Sequence, residues 1–274
     1  MSVHSLLRAA FVPTAVAFVL ALTTAASAAP GDLDPSFSMR LVDAGGNELA
    51  LSVLVQADGR IVVGGVEISA LGDFCLARLK PRGGIDTSFS GDGVVTFDFT
   101  DGALDDAVQA VAQLPNGKLV AIGSAATAGA PLSTMAVARL LTNGELDLDF
   151  SGDGKARVAF PGESAFATAA AIQGDGKILI AGAVSDPAGQ ERDFAVARLR
   201  RNGSLDFAYG EQGRVRTDFG SGDDVIQWMG LQDDGKLVVG GTTVADGAVV
   251  KTAFARYTAS GDLDTSLAAT ASAS

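Results

Sequence analysis

A repeat of about 59 residues constrains the fold of this chain more than any other feature. The arginine of an Ala-Arg pair ends an apolar run in four places, at Arg78, Arg139, Arg198 and Arg256. A Gly-containing turn recurs at the same spacing, at Asp58-Gly59-Arg60, Asn116-Gly117-Lys118, Asp175-Gly176-Lys177 and Asp234-Gly235-Lys236. A third mark, a Leu-Asp or Ile-Asp pair, has its aspartate at Asp34, Asp86, Asp147, Asp206 and Asp264. Because three independent marks share one spacing, the sequence predicts four complete repeat units.

Within each unit the residue pattern is that of β-structure. The runs after the turn, such as Ile61–Val63 and Ile178–Ile180, are continuously apolar, which is typical of strands buried on both faces. Strand-like runs joined through Asn-Gly or Asp-Gly predict hairpins with type I′ turns, in which both central residues have positive φ. A third run precedes the Leu-Asp mark, and a weaker fourth run such as Gly93–Phe97 follows a Gly-rich loop. Each unit therefore predicts about four antiparallel strands.

Consecutive four-stranded sheets with burial on both faces indicate an all-β, β-propeller-like array of four blades. The predicted domain covers residues 29–267, with blades at about 38–80, 93–141, 154–200 and 213–258. The alternative is an open array whose end repeats need capping. We favour the closed ring, because closure removes exposed sheet edges.

The N-terminal residues have the pattern of a cleavable signal peptide. Arg8 provides a basic start, Ala9–Leu22 is an apolar run too short to span a bilayer, and Ala26-Ser27-Ala28 is a cleavage signal. We therefore predict cleavage after Ala28 and export to the periplasm or the cell exterior, with no membrane span in the mature chain. The tail at 268–274 is of low complexity and is predicted to be disordered.

The first unit also carries a family resemblance. The segments that carry it are Asp34–Phe37, Gln56–Gly65, Asp73–Leu79 and Ile85–Val95. They resemble the delta-60 repeat of secreted bacterial proteins, and the resemblance extends over residues 31–267. It implies an exported, propeller-like repeat protein, but it implies no reaction, because the repeat rather than an activity defines that family. Leu205–Gly213 departs from the pattern, so we expect a reshaped loop there.

The composition excludes several classes of chemistry. The single histidine, His4, lies in the predicted signal peptide, so the mature chain would lack Ser-His-Asp catalysis and histidine-ligated metal sites. The single cysteine, Cys75, cannot form an intrachain disulfide and is predicted to be a small buried hydrophobe. A formal charge of −12 disfavours a nucleic-acid partner.

The repeated arginines and aspartates form a regular series. Each arginine precedes an aspartate by eight residues across a Gly-containing turn, in the pairs Arg78–Asp86, Arg139–Asp147, Arg198–Asp206 and Arg256–Asp264. We interpret them as structural ion pairs, because a functional site rarely needs four equivalent copies.

One loop is a candidate calcium site. Asp147, Asp149, Ser151 and Asp153 place oxygen ligands at alternate positions near Gly152, as hard cations require. No glutamate follows at the EF-hand distance, and the other units have partial versions of the loop. We therefore expect an Asp-rich turn with calcium as the alternative, and no other cofactor.

Residues that break the repeat are the candidates for a ligand site. Trp228 is the only tryptophan, and Asp223 and Asp224 are paired acids just before it. Two carboxylates can support glycoside hydrolysis across a cleft, and a tryptophan can bind a sugar ring. The alternative is a purely structural role, in which Trp228 packs in a blade and the acids lie at a solvated strand start.

These observations favour an exported, monomeric propeller that binds or scaffolds an unidentified protein or glycan at the cell surface or in the periplasm, without catalysis. One alternative is a carboxylate-dependent hydrolase of polysaccharide. A second alternative is a surface or matrix repeat module stabilised by calcium.

Overall fold

The computed structural model describes residues 32–37, 42–43, 46–67, 72–99, 106–127, 130–187, 189, 191–220, 222–245 and 249–266. The predicted signal peptide at 1–28 and the predicted disordered tail at 268–274 lie outside these residues. The described part of the chain is all-β, as predicted, and contains fifteen strands. No helix within it is long and apolar enough to cross a membrane.

The strands form four antiparallel sheets, which we call blades 1 to 4. Blade 1 contains β1 (Glu48–Val55), β2 (Ile61–Glu67), β3 (Asp73–Leu79) and β4 (Val94–Phe97). Blade 2 contains β5 (Ala107–Gln113), β6 (Leu119–Thr127), β7 (Ala130–Leu140) and β8 (Lys155–Val158). Blade 3 contains β9 (Ser164–Ile172), β10 (Ile178–Ser185), β11 (Arg192–Leu199) and β12 (Arg214–Thr217). Blade 4 contains β13 (Val225–Leu231), β14 (Leu237–Ala245) and β15 (Val249–Tyr257).

The blade boundaries differ from the predicted ones. The short strand β4 pairs with β3 of the same blade, with Phe74 opposite Phe97, whereas the predicted boundaries placed it at the start of the second blade. The reason is that the Gly-rich loop turns the chain back onto β3. Blade 4 has three strands within the described residues, which end at Ser266, shortly after its Leu-Asp mark.

The hairpin turns differ from the predicted type I′. At the first turn Gly59 has a φ of +81°, but Asp58 is not among the described non-glycine residues with positive φ. The N–H of Gln56 donates to the carbonyl of Arg60, and the N–H of Gly59 donates to that of Gln56. One left-handed glycine after a type I turn therefore closes each hairpin.

A second repeated glycine lies at a β-bulge in each first hairpin. A Cβ added to Gly65, Gly123, Gly182 or Gly241 would lie 1.8–1.9 Å from a carbonyl oxygen of the first strand. The ladder shifts register at the same place, for example between Ala50 and Ser52. Glycine is needed here because the two backbones approach too closely for a side chain.

The hydrophobic core consists of three clusters, one at each junction between consecutive blades. Leu76 of blade 1 packs with Val108 of blade 2, and Val196 of blade 3 packs with Ile226 of blade 4. We call the face of a blade that packs against the next blade its forward face, and the opposite one its backward face. The third strands present Leu76, Val137, Val196 and Phe254 on the forward faces, each paired with the residue before the bulge glycine.

No other described residues cover the two end faces. Leu76, Val137 and Val196 are fully buried, whereas their counterpart Phe254 is 50% exposed on the forward face of blade 4. On the backward face of blade 1, Val53 is 68% exposed. The predicted array of antiparallel blades is therefore confirmed, but the described residues do not show the closure of the ring that the sequence analysis favoured.

Candidate functional site

The repeated arginines and aspartates contact each other at every unit. The Nε of the arginine lies 2.8 Å from Asp86, 2.5 Å from Asp147, 2.9 Å from Asp206 and 2.9 Å from Asp264. In the first three units the guanidinium also donates to a turn carbonyl of the next blade, namely that of Thr142, Arg201 or Ala259. These contacts tie each Leu-Asp turn to the following blade.

Ionised carboxylates are favoured at these positions. Burial alone would raise the pKa of Asp206, but the Arg198 charge, with smaller contributions from the Ala208 N–H and Lys177, lowers it below its usual value. The pKa values of Asp86 and Asp147 are lowered in the same way by their hydrogen-bond donors and cations. The aspartates therefore serve as counterions in the fold at neutral pH.

The predicted calcium loop has one of its ligands already engaged. Asp147 is 2% exposed and bonds to Arg139 and, at 2.7 Å, to Lys118. Asp149, Ser151 and Asp153 are exposed, and Asp153 accepts a hydrogen bond from the N–H of Lys155. Calcium binding at this loop stays a prediction.

The structure places Trp228 apart from the two acids with which the sequence analysis grouped it. Its indole lies over Gly240, 5.4 Å from the Phe254 ring centroid, and lines an apolar hollow of about 640 Å³. Asp223 and Asp224 do not line that hollow. Asp224 is 1% exposed, and its Oδ2 accepts a hydrogen bond from the N–H of Phe219 at 2.8 Å.

Asp224 instead belongs to a cluster of three aspartates, which we call the acid cluster: Asp193, Asp218 and Asp224. One carboxylate oxygen from each lies within 4.8 Å of the others, and no second such group of three is found in the described residues. Asp193 is buried at the start of β11, Asp218 is exposed just after β12, and Asp224 precedes β13. The Oδ1 of Asp224 is buried without a hydrogen-bond partner in the described structure.

Sequence reasoning did not identify Asp193 or Asp218. Both precede a phenylalanine, and the same Asp-Phe pairs occur at Asp73 and Asp98 in blade 1. Aligning the repeats at these pairs would have identified the two positions. It would not have shown that the acids converge in blade 3, because that depends on the path of the loop from Asp218 to Asp224.

The environment of the acid cluster raises the pKa of one of its carboxyl groups, that of Asp193. Burial raises the pKa of Asp193, Arg216 opposes this, and the neighbouring Asp218 and Asp224 raise it further. Arg216 bonds to Asp193 and, at 3.0 Å, to Glu163. A carboxyl with a raised pKa beside an exposed carboxylate is an arrangement in which one group can donate a proton and the other can stabilise positive charge.

Arg216 connects the acid cluster to a polar cleft. The cleft has a volume of about 480 Å³ and is lined by Glu163, Glu211, Arg214, Arg216 and Asp262 among others. Carboxylates and guanidinium groups of this kind can bind hydroxyl groups of a polar ligand. The cleft therefore offers space for a hydroxyl-rich molecule next to Arg216, and none of the three aspartates lines it.

The four consecutive antiparallel blades and the repeated contacts between them define a β-propeller repeat protein. The family model described as "Domain of unknown function (DUF5122) beta-propeller" matches residues 56–89, 114–150, 173–206 and 232–267, more than half of the chain. The chain therefore belongs to the DUF5122 beta-propeller family. The predicted membership of a β-propeller repeat family is confirmed. No curated protein sequence matches the chain.

Several solved structures are similar in arrangement but remote in sequence. The GH43 endo-arabinanase from Bacillus licheniformis is 11% identical, with a TM-score of 0.40 over 81% of this chain and 79% of that one. The endo-arabinase from Bacteroides thetaiotaomicron is 10% identical, with a TM-score of 0.41 over 80% of each chain. Drosophila Plexin A in complex with Semaphorin 1b is 11% identical, with a TM-score of 0.38 over 78% of this chain and 40% of that one.

These comparisons correct the main functional prediction from the sequence. A non-catalytic binding or scaffold module was predicted, but several of the similar solved structures are arabinanases, and that prediction is not retained. At these identities and TM-scores the comparisons assign neither a substrate nor a catalytic residue to this chain. The residues of the acid cluster are therefore the basis for a proposed function.

Proposed function

We propose that this protein is a carboxylate-dependent hydrolase of polysaccharide with its catalytic centre at the acid cluster. The observation that carries the proposal is the convergence of three aspartates within 4.8 Å, connected through Arg216 to a polar cleft. Glycoside hydrolysis needs two carboxyl groups in different protonation states, and the environment of the cluster favours that difference. We place the activity outside the cytoplasm, because residues 1–28 have the pattern of a cleavable signal peptide.

Each acid has a distinct role in the proposal. Asp193, whose pKa is raised, donates a proton to the leaving glycosidic oxygen. Asp218 is exposed and attacks or stabilises the developing positive charge on the sugar. Asp224 is a positioning residue, because its hydrogen bond to the Phe219 N–H fixes the backbone next to Asp218.

The separation of the acids predicts the stereochemical outcome. Retaining glycosidases have carboxyl groups roughly 5–5.5 Å apart, whereas inverting ones need roughly 6.5–9.5 Å to admit a water molecule. A separation of at most 4.8 Å between carboxylate oxygens favours retention. The acidic charge of the chain favours a neutral polysaccharide over an anionic one.

The test measures release of reducing ends from neutral polysaccharides such as arabinan, xylan and mannan. Asp218→Asn is expected to lower the rate by about a hundredfold or more, since it removes a catalytic carboxylate. The rate of the unsubstituted protein should fall as the pH rises through the raised pKa of Asp193, because the proton donor is then lost.

The matched control is Asp98→Asn, which changes the equivalent residue of blade 1 and should leave the rate unchanged. Equal losses in both variants would mean that the substitutions act through the fold. Absence of any release from the unsubstituted protein would contradict the proposal.

A further inference from the structure

The forward face of blade 4 is an apolar surface built like the buried forward faces of the other blades. Phe254 lies at the position of Leu76 and Val196, which are fully buried against a following blade. Trp228 and Phe254 are 44% and 50% exposed and, with Val238 and Leu263, line the hollow of about 640 Å³, to which Thr217 and Phe219 of blade 3 also contribute. These two aromatic side chains are larger than their buried counterparts and remain about half exposed.

The backward face of blade 1 is the complementary half of the same junction. Val53 pairs with Val63, as Val111 pairs with Ala121 and Met229 with Val239 in later blades. Val111 and Met229 pack in the junction clusters against the preceding blade. Val53 and its neighbour Val55 are instead 68% and 66% exposed.

The polar part of the junction is repeated in the same way. Arg78 and Arg198 donate from Nη1 to the carbonyls of Thr142 and Ala259, each in the turn of the next blade. Arg256 ends the series, bonds to Asp264 and Ser266, and faces no following blade in the described structure. In blade 1 the equivalent turn position is Pro81, whose carbonyl can accept such a bond although proline lacks an N–H.

We propose that the forward face of blade 4 binds the backward face of blade 1 of a second copy of this chain. Three junctions within the chain show which side chains and carbonyls this contact uses, and the two ends carry its two halves. Because the halves lie on different surfaces, the contact is heterologous and joins copies head to tail. In that assembly Arg256 donates to the Pro81 carbonyl of the neighbouring copy, and Trp228 is buried against the neighbouring β1.

The experiment measures the mass of the full chain in solution over a wide range of concentrations. The unsubstituted protein is expected to associate as its concentration rises, with a parallel blue shift of Trp228 fluorescence as the indole leaves water. Val53→Asp and Phe254→Asp should each prevent association when alone, because each removes one half of the contact. An equimolar mixture of the two variants should form a dimer and nothing larger, since each variant keeps the half that the other has lost.

The control is Phe207→Asp, which changes a residue that is 66% exposed and lies outside both end faces. It should associate like the unsubstituted protein. Circular dichroism at low concentration should show that all variants fold, and Val55→Asp replaces Val53→Asp if that variant does not.

Three results would overturn the proposal. The first is that the unsubstituted protein remains monomeric at every concentration. This includes the case in which the ring closes within one chain and shields Trp228. The second is association that persists in the variants at both end faces. The third is a mixture of Val53→Asp and Phe254→Asp that forms no dimer.

Discussion

The inner junctions and the two end faces of this protein use the same residue positions with opposite results. Val196 and Phe254 occupy equivalent places on β11 and β15, yet the first is fully buried and the second is half exposed. Both residues pair with the residue before the bulge glycine, but Val196 also has a fourth strand beside it and a following blade against it. Within the described residues Phe254 has neither. The repeat therefore encodes half of an interface on each face of a blade, and only a neighbouring blade completes it.

The largest difference in stability between the inner junctions and the end faces is expected when one of the repeated arginines is replaced. Arg198→Ala should lower the free energy of unfolding by roughly 3–5 kcal/mol, because it removes the closest cation of the buried Asp206 and leaves only Lys177 and Arg200, each at 3.5 Å. Arg256→Ala removes the same group at the end of the array, where Asp264 keeps Lys236 at 2.9 Å, and should cost much less. Thermal unfolding of the two variants measures the difference. Equal losses would mean that the inner and outer pairs do not differ in burial energetics.

Replacing an apolar residue should also destabilise an inner junction more than an end face, but the difference in unfolding free energy should be smaller than at the arginines. Leu76→Ala opens a cavity at the junction of blades 1 and 2 and should cost about 2–5 kcal/mol. Phe254→Ala should cost less than about 2 kcal/mol at low protein concentration, because half of the ring already contacts water. Urea unfolding gives both values. A larger loss from the Phe254 variant would show that the end face is covered within the single chain.

The smallest expected effect is on the pH dependence of stability, and it comes from the buried Asp106, which precedes β5. Burial raises the pKa of Asp106 to about 6 from an ordinary 3.8, although it accepts hydrogen bonds from the N–H groups of Phe99 and Ala126. Between about pH 4 and pH 6 the folded protein therefore keeps a proton that the unfolded chain has lost, so stability falls as the pH rises through this range. Asp106→Asn should remove that fall.

Melting temperatures measured between pH 4 and pH 6 test this expectation. Asp153→Asn is the control, because Asp153 lies on an exposed loop and its removal should leave the slope unchanged. A slope that is identical in the Asp106 variant and the unsubstituted protein would contradict the role given to burial.

Much of the fold could be predicted from the sequence. The repeated turns at Gly59 and its counterparts marked the hairpins, and the eight-residue interval indicated where Arg198 and Asp206 would be paired. The turn type was predicted incorrectly, because an Asp-Gly pair fits both a type I′ turn and a type I turn followed by a left-handed glycine. Backbone hydrogen bonds around Gln56 distinguish the two, and the residue pattern does not contain them.

The candidate site was predicted less well. Asp224 was identified from its neighbour Asp223, but it was grouped with Trp228, which lies in a separate apolar hollow. Its partners Asp193 and Asp218 come from another blade, and nothing in their local sequence sets the distance between the carboxyl groups.

The sequence by itself determined the number of blades, their antiparallel hairpins and the repeated arginine–aspartate pairs. These properties are local or periodic, so continuously apolar strand runs, turn glycines and constant spacing are enough to specify them. The tertiary structure alone decided that Phe254 and Val53 are exposed and that three aspartates converge beside a cleft. Exposure and electrostatic coupling depend on which surfaces meet across blades. The repeat pattern is the same at equivalent positions whether or not a neighbouring blade is present, so it does not contain that information.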